Sequence, residues 1–431
     1  MVPEPPPSGA HPSSPADLTP WAIALTGMLA LGTAMGIGRF AFTPLLPMML
    51  HDGVLDLSAA SWLASANYLG YLLGALLCTF QSWIWSRFTA RPPLAATHWI
   101  RMGLVGTCLL TLGMALHMPA LWPLLRFLAG VASAMVFIFS SGWCLFELAK
   151  RDASRLGGVM YAGPGAGVLL SGLLASGMVA LHFRAAAGWL TLGFLACVLT
   201  ALAWRRFDKP ASLPVAAPVA MHPVLHGAVL VSHRQMLLLA VAYGLAGFGY
   251  IVTATFLPVI ARQALPGSPW LDMFWPLFGL GVMAGSLLAT RISLRGDLRY
   301  LLAGCYGLQA LGVAVTVWSP TLAGFVAGSL LLGLPFTAIT FFAMQEVRRL
   351  KPESMTSYMG LLTALYGVGQ IAGPPMVAVL LRHTSSLAEG FALSLAIATS
   401  SLLLGAALYL WMVRAYPLSA IRPSRMLPPT H

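Results

Sequence analysis

Charged residues are scarce in this sequence, and acidic residues are the scarcest. Only 8% of the 431 residues are charged and 58% are hydrophobic, whereas a water-soluble domain carries about a quarter charged residues. So few charges cannot cover a globular surface in water, which excludes the soluble classes and indicates that lipid is the main solvent.

The chain also lacks the residue groupings that enzymes and ATP-driven pumps need. Its five cysteines form no CxxC pair, and its histidines have no metal-ligand spacing. No P-loop is present, so ATP bound to this chain would not drive transport. We therefore expect no metal, no cofactor and no catalysis, and an enzyme or a channel is the less favoured class.

Apolar runs separated by short polar breaks fill most of the chain. About 20 apolar residues cross a bilayer, and twelve such runs predict an all-α membrane protein with twelve transmembrane helices. The predicted helices cover 21–50, 59–83, 99–117, 119–146, 156–181, 186–204, 236–262, 270–290, 299–318, 320–345, 356–381 and 389–413.

The longest polar break, 205–235, separates two sets of six helices. We predict an N-terminal bundle over 20–204, a cytoplasmic linker over 205–235, a C-terminal bundle over 236–413 and a cytoplasmic tail over 414–431. Residues 1–19 contain no Lys or Arg, so they are predicted to be a disordered cytoplasmic tail rather than a signal peptide.

The placement of basic residues predicts the orientation. With the N-terminus inside, 19 of the 24 Lys and Arg residues fall in cytoplasmic segments and three fall in outer loops. Because Lys and Arg are enriched in cytoplasmic loops, both termini are predicted to be cytoplasmic. The same bias accounts for the net charge of +12 without a nucleic-acid partner.

The two halves share a spacing of glycine and proline. Two patterns recur 211 residues later: Gly36, Gly38 and Pro47 as Gly247, Gly249 and Pro258, and Gly70 with Gly74 as Gly281 with Gly285. An internal repeat of this length predicts two pseudo-symmetric six-helix bundles that rock about a central site.

Three strings carry a family resemblance. They are GIGRFAFTPLLPMM at 36–49, LASANYLGYLLG at 63–74 and RFLAG at 126–130. With them the chain resembles the major facilitator superfamily, YbfB/YjiJ-type branch, throughout the twelve helices. The resemblance implies a monomeric secondary transporter of a small solute in the bacterial inner membrane, with a proton as the candidate coupling ion. The sequence departs from the superfamily pattern at Cys78, which stands where the superfamily signature between helices 2 and 3 has Asp.

Two arginines are predicted at mid-membrane. At 1.5 Å per residue, Arg39 and Arg126 both lie about 5 Å outside the midplane, and no carboxylate can reach them. We interpret them as the binding site of an anion, because guanidinium makes paired bonds to carboxylates. As an alternative, Pro44 frees the Phe40 carbonyl and Pro47 that of Thr43, and Arg39 caps these carbonyls. The absence of membrane carboxylates counts against a proton-coupled drug exporter, the alternative function of the same fold.

Neutral residues on the helices that line the cavity in this superfamily complete the predicted site, although each could be packing only. They are Asn67, Tyr161, Tyr250, Thr253, Tyr366 and Gln370. Asn67, Tyr250 and Gln370 rank highest, because a buried amide needs a partner and Tyr250 aligns with Arg39 at offset 211.

A cytoplasmic gate is predicted from acids that close helices 4 and 10. Glu147 has Arg151 about one turn away, and Glu346 has Arg348 or Arg349 about one turn away, of which Arg349 is the predicted gate residue. Pairs of this kind would lock the gate, whereas the alternative is that they are simply solvated helix ends.

Overall fold

The computed structural model describes residues 18–88, 94–207, 232–268, 270–292, 296–351 and 355–417. Within those ranges the regular structure is helical, without a strand. Helices suit these sequences because in lipid every backbone N–H and C=O has to be bonded within the chain.

Twelve long helices follow one another, which confirms the predicted fold class for the described ranges. They are α1 (Pro20–His51), α2 (Leu57–Phe88), α3 (Ala96–Gly113), α4 (Trp122–Ala149), α5 (Ser154–Ala180), α6 (Ala185–Trp204), α7 (His233–Ala264), α8 (Phe274–Ala289), α9 (Leu298–Trp318), α10 (Leu322–Leu350), α11 (Met355–His383) and α12 (Leu387–Ala415). Their ends differ from the predicted ones by at most five residues. The predicted tails 1–19 and 414–431 and the linker 205–235 fall largely outside the described residues.

Eleven of the described helices are long and apolar enough to span a membrane by themselves. Helix α3 is not among them, because its first two turns carry His98 and Arg101, which lower its mean hydropathy. It nevertheless packs against α4 and α6, so it belongs to the first bundle.

The internal repeat corresponds to equivalent helix crossings. A Cβ atom on Gly130 of α4 would lie 2.1 Å from the Asn67 carbonyl of α2, and one on Gly333 of α10 would lie 2.4 Å from the Phe278 carbonyl of α8. Asn67 and Phe278 are related by the offset of 211. Glycine at the crossing therefore allows the same close approach of helix backbones in both halves.

The two halves meet along α1 with α7, α2 with α11, and α5 with α8. At the first of these contacts the Thr43 hydroxyl donates to the Ala254 carbonyl at 2.9 Å, between residues 211 positions apart. This bond thus joins repeat-equivalent positions of the two halves.

One end of the interface between the halves is held by hydrogen bonds. We call the end where α1 begins and α12 ends the termini face, and the other end the opposite face. Toward the opposite face, the Tyr68 and Thr255 hydroxyls lie 2.9 Å apart, and Arg382 donates to the Ser58 hydroxyl at 2.5 Å. The halves are therefore closed together at the opposite face.

Candidate solute-binding site

Helix α1 is broken at the centre of the molecule. A π-helix over Gly32–Arg39 is followed by a two-residue turn and then by an α-helix over Phe42–His51. The Thr43 N–H bonds to the Phe40 carbonyl at 3.2 Å and so cannot reach the Arg39 carbonyl. The break therefore leaves carbonyls at the end of the π-helix without helical partners, and π segments are frequent at functional sites.

Arg126 of α4 caps this broken end. Its guanidinium donates to the Gly38 carbonyl at 3.3 Å and to the Arg39 carbonyl at 3.0 Å, and lies 5.0 Å from the Phe42 ring centroid. The side chain is 2% exposed. A cation at a helix C-terminus is stabilised by the carbonyl dipoles. Asn67 donates to the Arg126 carbonyl at 2.8 Å and so braces α4 against α2.

Capping is thus performed by Arg126 rather than by Arg39. The capped carbonyls are those of Gly38 and Arg39, whereas Pro44 and Pro47 predicted those of Phe40 and Thr43. The Phe40 carbonyl is occupied by the Thr43 N–H, so the orphaned groups lie one and two residues earlier.

Arg39 reaches across to the second half of the molecule. Its Nη2 donates to Gln370 Oε1 at 2.5 Å, and the Gln370 amide donates in turn to the Tyr250 hydroxyl. The guanidinium lies 4.0 Å from the ring centroid of Tyr71 and 5.3 Å from that of Tyr68. Arg39 is 3% exposed and its Nε has no hydrogen-bond partner. The hydrogen bonds from Arg39 to Gln370 and from Gln370 to Tyr250 therefore link the first bundle to neutral groups of the second.

Aromatic rings continue this cluster into the second half. Tyr366 stacks on Tyr250 with centroids 5.8 Å apart and on Tyr243 at 4.6 Å. Phe336 meets Tyr250 edge-on at 4.9 Å and Phe40 at 6.1 Å. Since the Phe40 ring also lies 5.5 Å from the Arg39 guanidinium, rings of both halves join in one cluster beside it.

Most of the residues predicted for the site come together here. They are Arg39, Asn67, Arg126, Tyr250, Tyr366 and Gln370. Tyr161 lies farther off, because Phe137 separates it from Tyr71 with centroid distances of 6.3 and 6.4 Å. Thr253 is buried one turn beyond Tyr250, and its hydroxyl has no partner.

Four aromatic residues outside the predicted site contribute to it, namely Phe40, Tyr68, Tyr71 and Phe336. Tyr71 makes the shortest aromatic contact with Arg39, and its position one helical turn after Asn67 could have indicated it. Phe336 follows Pro335 at a break within α10, and no local pattern points from there toward Arg39.

The four predicted gate residues pair within their own halves. Glu147, near the end of α4, bonds to Arg151 in the turn that follows, at 2.5 Å. Glu346 is 0% exposed and lies 3.7 Å from Arg299 and 3.8 Å from Arg349. For these residues the structure describes a local pairing, and a lock between the halves stays a prediction.

Asp297 holds Arg299 at the termini face of the second half. Its carboxylate accepts from the Arg299 backbone N–H at 3.0 Å and from the guanidinium at 2.9 and 2.7 Å. Burial raises the pKa of Asp297, but these bonds outweigh it and hold that pKa below its usual range. Arg299 is therefore engaged by Asp297 more closely than by Glu346.

A fold of two related six-helix bundles, with a buried cation where they meet, defines a membrane transporter and not an enzyme. Residues 31–410 match the family described as "Uncharacterised MFS-type transporter YbfB". The chain belongs to this family of the major facilitator superfamily.

Known proteins to which the chain is similar include one relative and two solved structures. The chain is 26% identical over 372 residues to the "Uncharacterized MFS-type transporter YceJ" of Bacillus subtilis (strain 168), covering 81% of this chain and 87% of YceJ. The nucleoside transporter NupG has a TM-score of 0.68 at 14% identity, over 91% of this chain and 99% of its own. A point mutant of NupG gives 0.68 at 13% identity, over 90% and 99%. At these identities the two structures establish the fold alone.

Proposed function

We propose that this protein is a secondary active transporter that binds a small organic anion at Arg39 and moves it by alternating access. The observation that carries the proposal is the buried Arg39 guanidinium, whose hydrogen-bond partner is the neutral amide of Gln370. Among the described residues, no Asp or Glu lies within ion-pair distance of it.

Burial of the Arg39 cation costs free energy. Moving a guanidinium out of water is expensive unless it is paired, and charged residues inside membranes mark solute pathways. Gln370 supplies one carbonyl dipole, and Arg39 Nε has no partner. A carboxylate would complete the pairing with charge-assisted bonds, which are about twice as strong as neutral ones.

The arginines have different roles in this proposal. Arg126 donates from both terminal nitrogens to the Gly38 and Arg39 carbonyls, and only its Nε has no partner, so it stabilises the break in α1. Arg39 is joined to Gln370 and, through it, to Tyr250 of the other half. A solute that takes over the Arg39 donor would therefore change a contact between the halves, as alternating access requires.

We further propose that solute reaches Arg39 from the termini face. Support comes from the hydrogen bonds that close the opposite face, including Tyr68 with Thr255 and Arg382 with Ser58. The distribution of Lys and Arg supports a cytoplasmic position of the termini face, and the family resemblance supports the inner membrane of a bacterium. A coupling proton and a monomeric state stay predictions from the family resemblance.

Thermal unfolding of the purified protein tests the proposal. A panel of monocarboxylates, each paired with its uncharged amide and with an amine of similar size, is added to the wild type. We expect at least one carboxylate to raise the melting temperature while its amide and amine do not. Arg39→Gln should lose the effect, and Arg184→Gln, an exposed arginine, should keep it.

Uptake into proteoliposomes then separates transport from binding. A stabilising carboxylate should accumulate in wild-type vesicles and not in Arg39→Gln vesicles. Stabilisation by amines alone, or unchanged uptake by Arg39→Gln, would contradict the anion site.

A further inference from the structure

We propose that the transported anion is an aromatic carboxylate, whose carboxyl group binds Arg39 while its ring stacks among the surrounding aromatic side chains. This inference rests on the anion site proposed above and specifies its substrate class.

Six aromatic rings form a cluster that includes the contacts of the Arg39 guanidinium. They belong to Phe40, Tyr68, Tyr71, Tyr250, Phe336 and Tyr366. Three of them lie 4.0 to 5.5 Å from the guanidinium carbon, and the others join this group through ring contacts of 4.9 to 6.1 Å. Such offset and edge-on arrangements are those in which a further ring packs favourably.

Some of the rings are more exposed than the guanidinium of Arg39. Tyr71, Phe336 and Tyr366 are partly exposed, whereas Arg39 and Gln370 are 3% and 1% exposed. A solute that approaches Arg39 therefore meets ring surfaces first. A planar apolar group fits that surface, but a small hydrated anion would lose its water without gaining hydrogen bonds there.

Around Arg39, three buried polar atoms without partners can only donate and one can only accept. The donors are Arg39 Nε, Arg126 Nε and Trp275 Nε1, the acceptor is Asn67 Oδ1, and the Thr253 hydroxyl, also without a partner, can do either. Trp275 belongs to the same cluster, since its ring meets Phe40 edge-on at 6.1 Å. An excess of donors favours a ligand that only accepts hydrogen bonds, such as a carboxylate, over a sugar or a polyol, which also has to donate.

Calorimetric titration of the purified protein with three probes tests the inference. Benzoate carries both a ring and a charge, cyclohexanecarboxylate keeps the charge without the aromatic ring, and benzamide keeps the ring without the charge. We expect benzoate to bind about fivefold more tightly than cyclohexanecarboxylate, the size expected for one aromatic contact. Benzamide should bind more weakly than either carboxylate.

Variants of Tyr71 assign the preference to the rings. Tyr71→Leu should bind benzoate and cyclohexanecarboxylate alike, whereas Tyr71→Phe should keep the preference. Tyr300→Leu is the matched control, because Tyr300 is 58% exposed and outside the cluster. A folded Tyr71→Phe sample keeps the test valid if Tyr71→Leu does not fold.

The outcomes distinguish the two proposals. Equal binding of benzoate and cyclohexanecarboxylate, both tighter than benzamide, overturns the aromatic class and leaves the anion site standing. Benzamide binding as tightly as benzoate overturns the anion site itself. Failure of benzoate to bind, or a benzoate preference that survives in Tyr71→Leu, overturns the inference.

Discussion

Replacing each buried arginine with methionine should separate a structural role from a binding role. Arg126→Met removes the donors to the Gly38 and Arg39 carbonyls and the contact with the Phe42 ring. Arg39→Met removes one bond to Gln370. Methionine has a similar length and no charge, so both changes keep most of the packing volume.

The expected magnitudes follow from those contacts. Hydrogen bonds between membrane helices contribute about 0.6 kcal/mol each on average and about 1.7 at most. A charged donor belongs at the upper end of that range, so two bonds from Arg126 contribute about 3 kcal/mol. Both substitutions relieve the burial of a charge, but Arg126→Met leaves two buried carbonyls without partners, which offsets that relief. Arg39→Met loses one bond, so its net effect should be under about 1 kcal/mol.

Thermal unfolding of the purified proteins, followed by tryptophan fluorescence, measures the difference. At about 2 °C per kcal/mol for a large protein, Arg126→Met should melt about 5 to 6 °C below the wild type. Arg39→Met should melt within about 2 °C of it, and Arg184→Met is the exposed control. The assignment of roles is refuted if Arg126→Met melts with the wild type, or if Arg39→Met loses as much stability as Arg126→Met.

Three further predictions concern the interface between the halves, the termini face and the helix crossings. Tyr68→Phe removes a hydrogen bond that closes the opposite face, so the population of molecules open at that face should rise about fivefold. The distance between spin labels at the opposite-face ends of α2 and α11 measures this population. An unchanged distance distribution would argue against closure by this bond. The pKa of Asp297 is lowered in the folded protein. The ionised Asp297 therefore stabilises the fold at pH values above the pKa of about 3.9 that it has in the unfolded chain, and this stabilisation is lost as the pH falls through the lower pKa of the folded protein. Melting temperature should therefore depend less on pH in that acid range in Asp297→Asn than in the wild type, and parallel curves would contradict the assignment. Gly333→Ala should destabilise by about 1 to 3 kcal/mol, because its Cβ would lie 2.4 Å from a backbone carbonyl; Gly304→Ala, where no atom lies within 4 Å, should melt like the wild type.

The fold could be predicted from the sequence because its causes are local. Span length and hydropathy fix the helices, and each helix satisfies its own backbone. The glycine repeat predicted the two halves because a close backbone approach at Gly70 and at Gly281 excludes a larger side chain. Among the described helices, α3 alone is not apolar enough to be identified as a spanning helix by itself, because His98 and Arg101 make its first turns polar.

Most residues of the site could be predicted from the sequence, but the hydrogen bonds between them could not. An amide buried in lipid needs a partner, which is why Asn67 and Gln370 stood out in the sequence. Their partners could not be predicted, because Gln370 and Arg39 are 331 positions apart and come together only when the halves pack.

The difference between the two arginines was also hidden in the sequence. Both lie at the same depth by residue count, so their helix positions do not distinguish them. The distinction arises from the break in α1, which turns the Gly38 and Arg39 carbonyls toward Arg126. The π-helix that produces this break packs against α5, a tertiary contact that the spacing of Pro44 and Pro47 does not indicate.

Calorimetric titration of benzoate into the wild type, Arg39→Gln and Arg126→Lys tests the central claim most directly. The account predicts saturable binding to the wild type and a loss of about 100-fold in affinity in Arg39→Gln, as expected for removal of a charge-assisted hydrogen bond from a buried site. Arg126→Lys, which keeps a cation beside the broken helix, should bind within about threefold of the wild type. Equal affinity in wild type and Arg39→Gln would contradict the claim that Arg39 binds the charge of the solute.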